Sequence, residues 1–172
     1  MKRIAVLVLT LVMALSVCAC ASKTETASSN ATADNTASQT ENSKSLKDIY
    51  EQVKKEASLP SEMSDFTASR LTKKFGITDE QYTDFAGAIC TQGQDQTQII
   101  YIKAADDAAA KDIAEKLQKD WQATYNVIKN YSPDQVAIIE KAKVETDGLY
   151  VSLVIASDAD KIKSIFKENI VG

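Results

Sequence analysis

The 172-residue chain carries 20 basic and 24 acidic residues, a net charge of −4, and no histidine. Its lysines are interleaved with apolar and acidic residues instead of forming a basic stripe, which argues against a protein that tracks a nucleic-acid phosphate backbone. Without imidazole the usual general base, the histidine-dependent serine and cysteine triads and most zinc sites are also excluded.

Lys2 and Arg3 open the chain with positive charge, Ile4 to Val17 form a largely apolar run of 14 residues, and small Ala19 precedes Cys20. These are the parts of an export signal. Fourteen residues fall short of the roughly 20 that a membrane-spanning helix needs. Val17 and Ala19 ahead of a cysteine fit a lipoprotein processing box, in which the Cys20 thiol takes a diacylglyceryl group. Cys18 would follow the bulkier Val17, so Cys20 is the favoured acceptor. Each buried methylene contributes about 0.8 kcal/mol, and two acyl chains hold where one holds only marginally. The expectation is a signal over residues 1–19 and a mature chain anchored through Cys20 to the outer face of the cytoplasmic membrane.

Residues 20–44 read as the lipidated cysteine and a tether rich in Ser, Thr, Ala, Asn and Gln, with too little apolar surface to offset ordering entropy. As a flexible coil, the segment from Ala21 to Lys44 spans about 27 Å. Without Lys2 and Arg3 the balance is 18 basic to 24 acidic residues, or −6 for the mature form. Only Cys90 remains in the folded part, so no internal disulfide is available. Asn30-Ala31-Thr32 and Asn130-Tyr131-Ser132 match the glycosylation pattern, but the bacterial type of signal argues against their use.

Residues 45–172 read as one α+β domain of sufficient size to hold itself by its core. Leu46, Ile49, Tyr50 and Val53 recur at helical spacing behind a Ser45/Asp48 capping box, predicting a first helix that ends near Leu59-Pro60. Asp65 to Phe75 reads as a second short helix closed by Gly76, and Thr78 with Gln81 as another capping box. Asp84 to Thr91 and Gln96 to Lys103 read as a pair of strands. In the latter, Ile99 and Tyr101 fall on one face and Ile100 and Ile102 on the other, as in a central strand covered on both sides.

Asp106 or Asp107 caps a long helix whose Ala110, Ile113, Leu117, Trp121, Thr124 or Tyr125, and Ile128 repeat at a period near 3.6. Ser132, Pro133 and Gln135 combine an N-cap, a first-turn proline and a capping-box partner, predicting a short helix through Ile139. Lys141 to Thr146 and Leu149 to Ala156 flank Asp147-Gly148, a tight-turn dipeptide, as a second hairpin. A last helix follows Ser157, with Ile162, Ile165 and Phe166 as its buried stripe. The expected architecture is a four-stranded antiparallel sheet from two hairpins. Amphipathic helices pack mainly on one face, and one or two helices precede the sheet.

Leu59-Pro60-Ser61-Glu62-Met63, Phe75-Gly76-Ile77-Thr78 and Gly148 to Val154 running into Asp158-Ala159-Asp160 resemble the small lipoproteins of Gram-positive bacteria grouped as a domain of unknown function, DUF4358. The likeness extends over Leu46 to Ile170 beside the signal and tether. It implies an exported α+β domain and supplies no catalytic or binding residue.

Direct search for chemistry yields little. Cys90 ends an apolar run and reads as a small hydrophobe. Asp106-Asp107 and Asp158-Ala159-Asp160 lack the spacing and glycine of a calcium loop and read as helix caps. Trp121 and Tyr125 read as packing. No cofactor, metal or catalytic residue is expected, and the binding residues are not legible. The favoured reading is a non-catalytic binding or interaction module engaging an envelope protein, peptide or wall component through an open sheet face. Ile100 with Ile102, or Tyr150 with Val154, would make that face apolar. The alternative is a cell-surface enzyme using carboxylates or a serine–lysine pair.

Overall fold

The first helix, α1 (Leu46–Glu56), forms where the apolar spacing predicts it, and all four residues of its stripe are buried. The Ser45 hydroxyl accepts the Asp48 N–H at 3.2 Å and donates to the Asp48 carboxylate at 2.7 Å. Asp84 of the sheet accepts the Leu46 N–H at 2.9 Å, satisfying one of the orphan donors of the helix start and fastening α1 to its strand. A computed structural model describes residues 44–170 of the chain.

Beyond α1 come β1 (Met63–Asp65), α2 (Ala68–Phe75), a 3-10 turn at Asp79–Gln81, β2 (Tyr82–Cys90) and β3 (Gln98–Ala104). They are followed by α3 (Asp107–Ile128), α4 (Pro133–Lys141), β4 (Val144–Asp147), β5 (Tyr150–Ile155) and α5 (Ala159–Ile170). The α+β class is as expected, but the sheet has five antiparallel strands, ordered β1-β2-β3-β5-β4, where four were expected. The added strand is β1, whose Asp65 was expected to open a helix. Thr67 is the true cap of α2, its side chain accepting the Arg70 N–H at 3.2 Å. The Arg70 guanidinium then reaches back to the Ser64 carbonyl at 3.2 Å and its hydroxyl at 3.0 Å, locking β1 against α2.

Helices cover both faces of the sheet, which corrects the expectation of packing mainly on one. Ile100 and Ile102 of β3, with Val151, Leu153 and Ile155 of β5, pack under α2, α3 and α4. Ile99 and Tyr101, with Val154, pack under α1 and α5. The two helices that follow hairpins were expected on the same side. They separate because Ala104, at the end of β3, points into the first core and Ala156, just past β5, into the second. Tyr101 stacks on Phe166 of α5 with ring centroids 4.1 Å apart and donates its hydroxyl to the Ile162 carbonyl at 3.3 Å.

Two local expectations shift. Asp147 pairs with Tyr150, so the central residues of the turn are Gly148 and Leu149, with Gly148 at φ 54° taking the left-handed position. At α4 the proline start is present, but Ser132 and Gln135 do not form the reciprocal cap. Ser132 donates to the Gln94 side chain at 2.5 Å, and Gln135 accepts the Gln96 N–H at 3.0 Å. The predicted capping residues instead hold the loop between β2 and β3.

Gly87 of β2 lies close against the β3 backbone. Its φ is 135°, and a Cβ there would stand 2.0 Å from the Ile99 carbonyl oxygen. Gly87→Ala should therefore cost roughly 3 kcal/mol or more, since both backbone strain and a backbone clash must be relieved. Urea denaturation measures this; a loss below about 1 kcal/mol would mean that β2 and β3 are not so tightly apposed.

Candidate functional site

The residues singled out in the sequence do not converge on one place. Cys20 lies outside the described residues. Cys90 is buried at the end of β2, where its sulfur accepts the Gln92 N–H at 3.5 Å. Asp106 accepts the Ala109 N–H at 2.7 Å as the cap of α3. Asp158 accepts the Ser58 N–H at 3.3 Å, and Asp160 lies in the first turn of α5. Trp121 stacks on Tyr125 at 5.8 Å, donating its indole N–H to the Ile139 carbonyl at 2.9 Å. Tyr125 donates to Glu140, also at 2.9 Å. This pair fastens α3 to α4. Among the described residues, no group of three or more acidic, cysteine or histidine side chains is placed to hold a metal ion.

The open sheet face does not exist in this fold. Ile100 and Ile102 are fully buried on one side, and Val154 is fully buried on the other, where Tyr150 is half-buried against Phe166. A binding surface placed there is overturned by the second layer of helices.

What the fold leaves open is an edge. β4 is the last strand of the sheet, pairing only with β5. In an antiparallel pair only alternate residues exchange hydrogen bonds with the neighbour, so the remaining N–H and C=O groups of β4 point away from the sheet. Beside that edge runs the outer flank of α3, and together they line a shallow, open groove of about 760 Å³. Lys111, Glu115, Lys119 and Ala123 line it from the helix, Val144 and Thr146 from the strand. Asp112 and Lys116 stay outside, paired at 2.7 Å on a neighbouring stripe of α3, and Lys116 also bonds the Gly76 carbonyl at 2.8 Å. Gln81 and Lys116 hold the Asp112 carboxyl below the usual carboxylate range, the lysine contributing most.

A smaller hollow of about 440 Å³ lies along α2 beside Arg70, Lys73 and Lys74. Its cations are largely engaged, Arg70 with the β1 backbone and Lys74 with Asp120 at 2.8 Å. Sequence reading missed the α3–β4 groove because its helix stripe consists of lysine, glutamate, glutamine and alanine, the pattern of an ordinary solvated flank. The one available signal was the alternation of Val144 and Thr146 in a short edge strand.

These features define an α+β domain with a five-stranded antiparallel sheet sealed on both faces and a groove at one edge. Residues 55–156 match the family described as Domain of unknown function (DUF4358), and the chain belongs to that family. The match takes in every residue that lines the groove. Neither the curated proteins nor the solved structures gave a match. No helix among the described residues is long and apolar enough to cross a membrane.

On the opposite side of β4, Glu145 accepts from Lys163 at 2.8 Å and Lys167 at 2.9 Å, tying the edge strand to α5. Lys163 chiefly, with Lys167 assisting, holds the Glu145 carboxyl below the usual carboxylate range. A depressed folded-state pKa stabilises above the unfolded value, near 4.3, and that stabilisation is lost as pH falls through the folded value. Glu145→Gln should cost about 0.5–1 kcal/mol at pH 7, since the pair is partly exposed, and progressively less as acid protonates the folded-state carboxyl. Chemical denaturation at neutral and at acid pH checks this, and an equal loss at both would show that charge is not the cause.

Proposed function

We propose that the chain is a lipid-anchored extracytoplasmic protein of Gram-positive type, and that its domain is a non-catalytic binding module of the cell envelope. The α3–β4 groove is the observation that carries this reading. It is a roomy recess flanked by an unpaired strand edge, and the charged side chains in it, Lys111, Glu115 and Lys119, form no ion pair or hydrogen bond among the described residues. The export signal and the Cys20 processing box support the anchor. The alternative, a surface enzyme using paired carboxylates or a serine–lysine pair, would rest on a small recess of about 110 Å³ lined by Glu145, Asp147, Ser152 and Lys167, whose Glu145 is already paired with Lys163 and Lys167.

The test is crosslinking in cells of the full chain carrying a C-terminal tag, compared with Cys20→Ala and with the groove variant Ala123→Arg. Wild type should fractionate with membranes and yield a stoichiometric envelope partner. Cys20→Ala should leave the membrane and lose that partner, and Ala123→Arg should stay anchored and lose most of it. A partner retained in full by Ala123→Arg would place the site elsewhere, and no partner from wild type would overturn the interaction reading.

A further inference from the structure

Lys111, Glu115 and Lys119 stand four residues apart on one stripe of α3, so their side chains succeed one another at about 6 Å along the groove. Alternate side chains on one face of a β-strand are spaced at about 6.6 Å. The two periods agree over the length of the row. The row reads plus, minus, plus, and each charge is unanswered among the described residues, although helix partners at this spacing often pair. The groove thus offers a backbone edge on one wall and a ladder of charges on the other, at the pitch of an extended chain.

We infer that the occupant of the groove is an extended peptide segment that adds to the outer edge of β4 as a sixth strand. Its α3-facing side chains alternate acidic, basic, acidic to meet Lys111, Glu115 and Lys119. This rests on the reading of the domain as a binding module and names the chemistry of its partner. Strand addition draws affinity from main-chain hydrogen bonds and selectivity from alternate side chains, which is the division of labour this groove provides. Short, charged edge strands also guard sheets against unwanted pairing. Here Glu145, opposite Ser152 in the register, alternates to the α5 side of the strand and is paired there with Lys163 and Lys167, away from α3. The backbone edge on the α3 side is left with Val144 and Thr146, both compatible with a neighbouring strand.

The test uses the full chain purified in detergent and two capped, fluorescently labelled heptapeptides. One is Thr-Asp-Thr-Lys-Thr-Asp-Thr, and the other has its aspartates and lysine exchanged. Anisotropy titrations should show the first binding about tenfold more tightly, the scale of three exposed pairs gained and their repulsions avoided. The double variant Lys111→Glu, Lys119→Glu should reverse the preference, and N-methylation of alternate amides along one edge of the peptide should abolish binding. Equal binding of both peptides would overturn the charge register, and binding unaffected by N-methylation on either edge would overturn strand addition. Absence of binding by both, or a dimer of the chain that neither peptide dissociates, would overturn the inference. The cellular crosslinking experiment would still report independently on whether the domain binds a partner at all.

Discussion

Burial of β3 on both faces is the constraint from which the rest of the structure follows. Ile99, Ile100, Tyr101 and Ile102 are consecutive and all inaccessible to solvent. A strand alternates its side chains between two faces, so four such residues in a row require a layer on each side. Each is worth roughly 1.5–3 kcal/mol when fully buried, and an exposed face would forfeit half of that gain. The molecule supplies α2, α3 and α4 on one side and α1 and α5 on the other. The stacked Tyr101 and Phe166 rings and the close apposition at Gly87 then fix how near those layers and the neighbouring strand can come.

Sealing both faces moves recognition to the margins of the sheet. The two edges are unequal. β1 is three residues long, and its return into α2 is locked by Arg70. β4 lies beside a 22-residue helix long enough to form a wall along it. The contacts that hold this wall in place lie off the groove. Trp121 bonds α4, while Asp112 and Lys116 tie α3 to Gln81 and Gly76. The flank of α3 that faces β4 is therefore positioned largely by interactions on its other stripes and keeps its charged side chains, Lys111, Glu115 and Lys119, available.

Much of this fold was legible because local chemistry and tertiary packing agree. The caps at Ser45 and Asp106, the apolar stripes of α1 and α3 and the double-sided pattern of β3 appear as the residues imply. β1 was not legible, because Met63-Ser64-Asp65 has no alternating apolar pattern, and pairing with β2 alone makes it a strand. The second helical layer was legible only in part. The pattern of β3 demanded cover on both sides, but the side chosen by α5 depends on where Ala156 points, a matter of register across β5. The roles of Ser132 and Gln135 shifted because a long-range donor and acceptor in the β2–β3 loop outcompeted the local cap. The groove was hidden because a site built from backbone edge groups and a polar helix flank leaves almost no mark in residue type.

Native-state amide hydrogen exchange of the isolated full chain tests most directly whether the sheet is sealed on its faces and open at β4. The slowest amides should lie in β3, exchanging only with global unfolding, and within β4 the outward-pointing amides should exchange orders of magnitude faster than those bonded to β5. Uniform protection of all β4 amides at the level of β3 would mean that the edge is already covered. Fast exchange in β3 would mean that one helical layer does not close over the sheet. Either result would contradict the account.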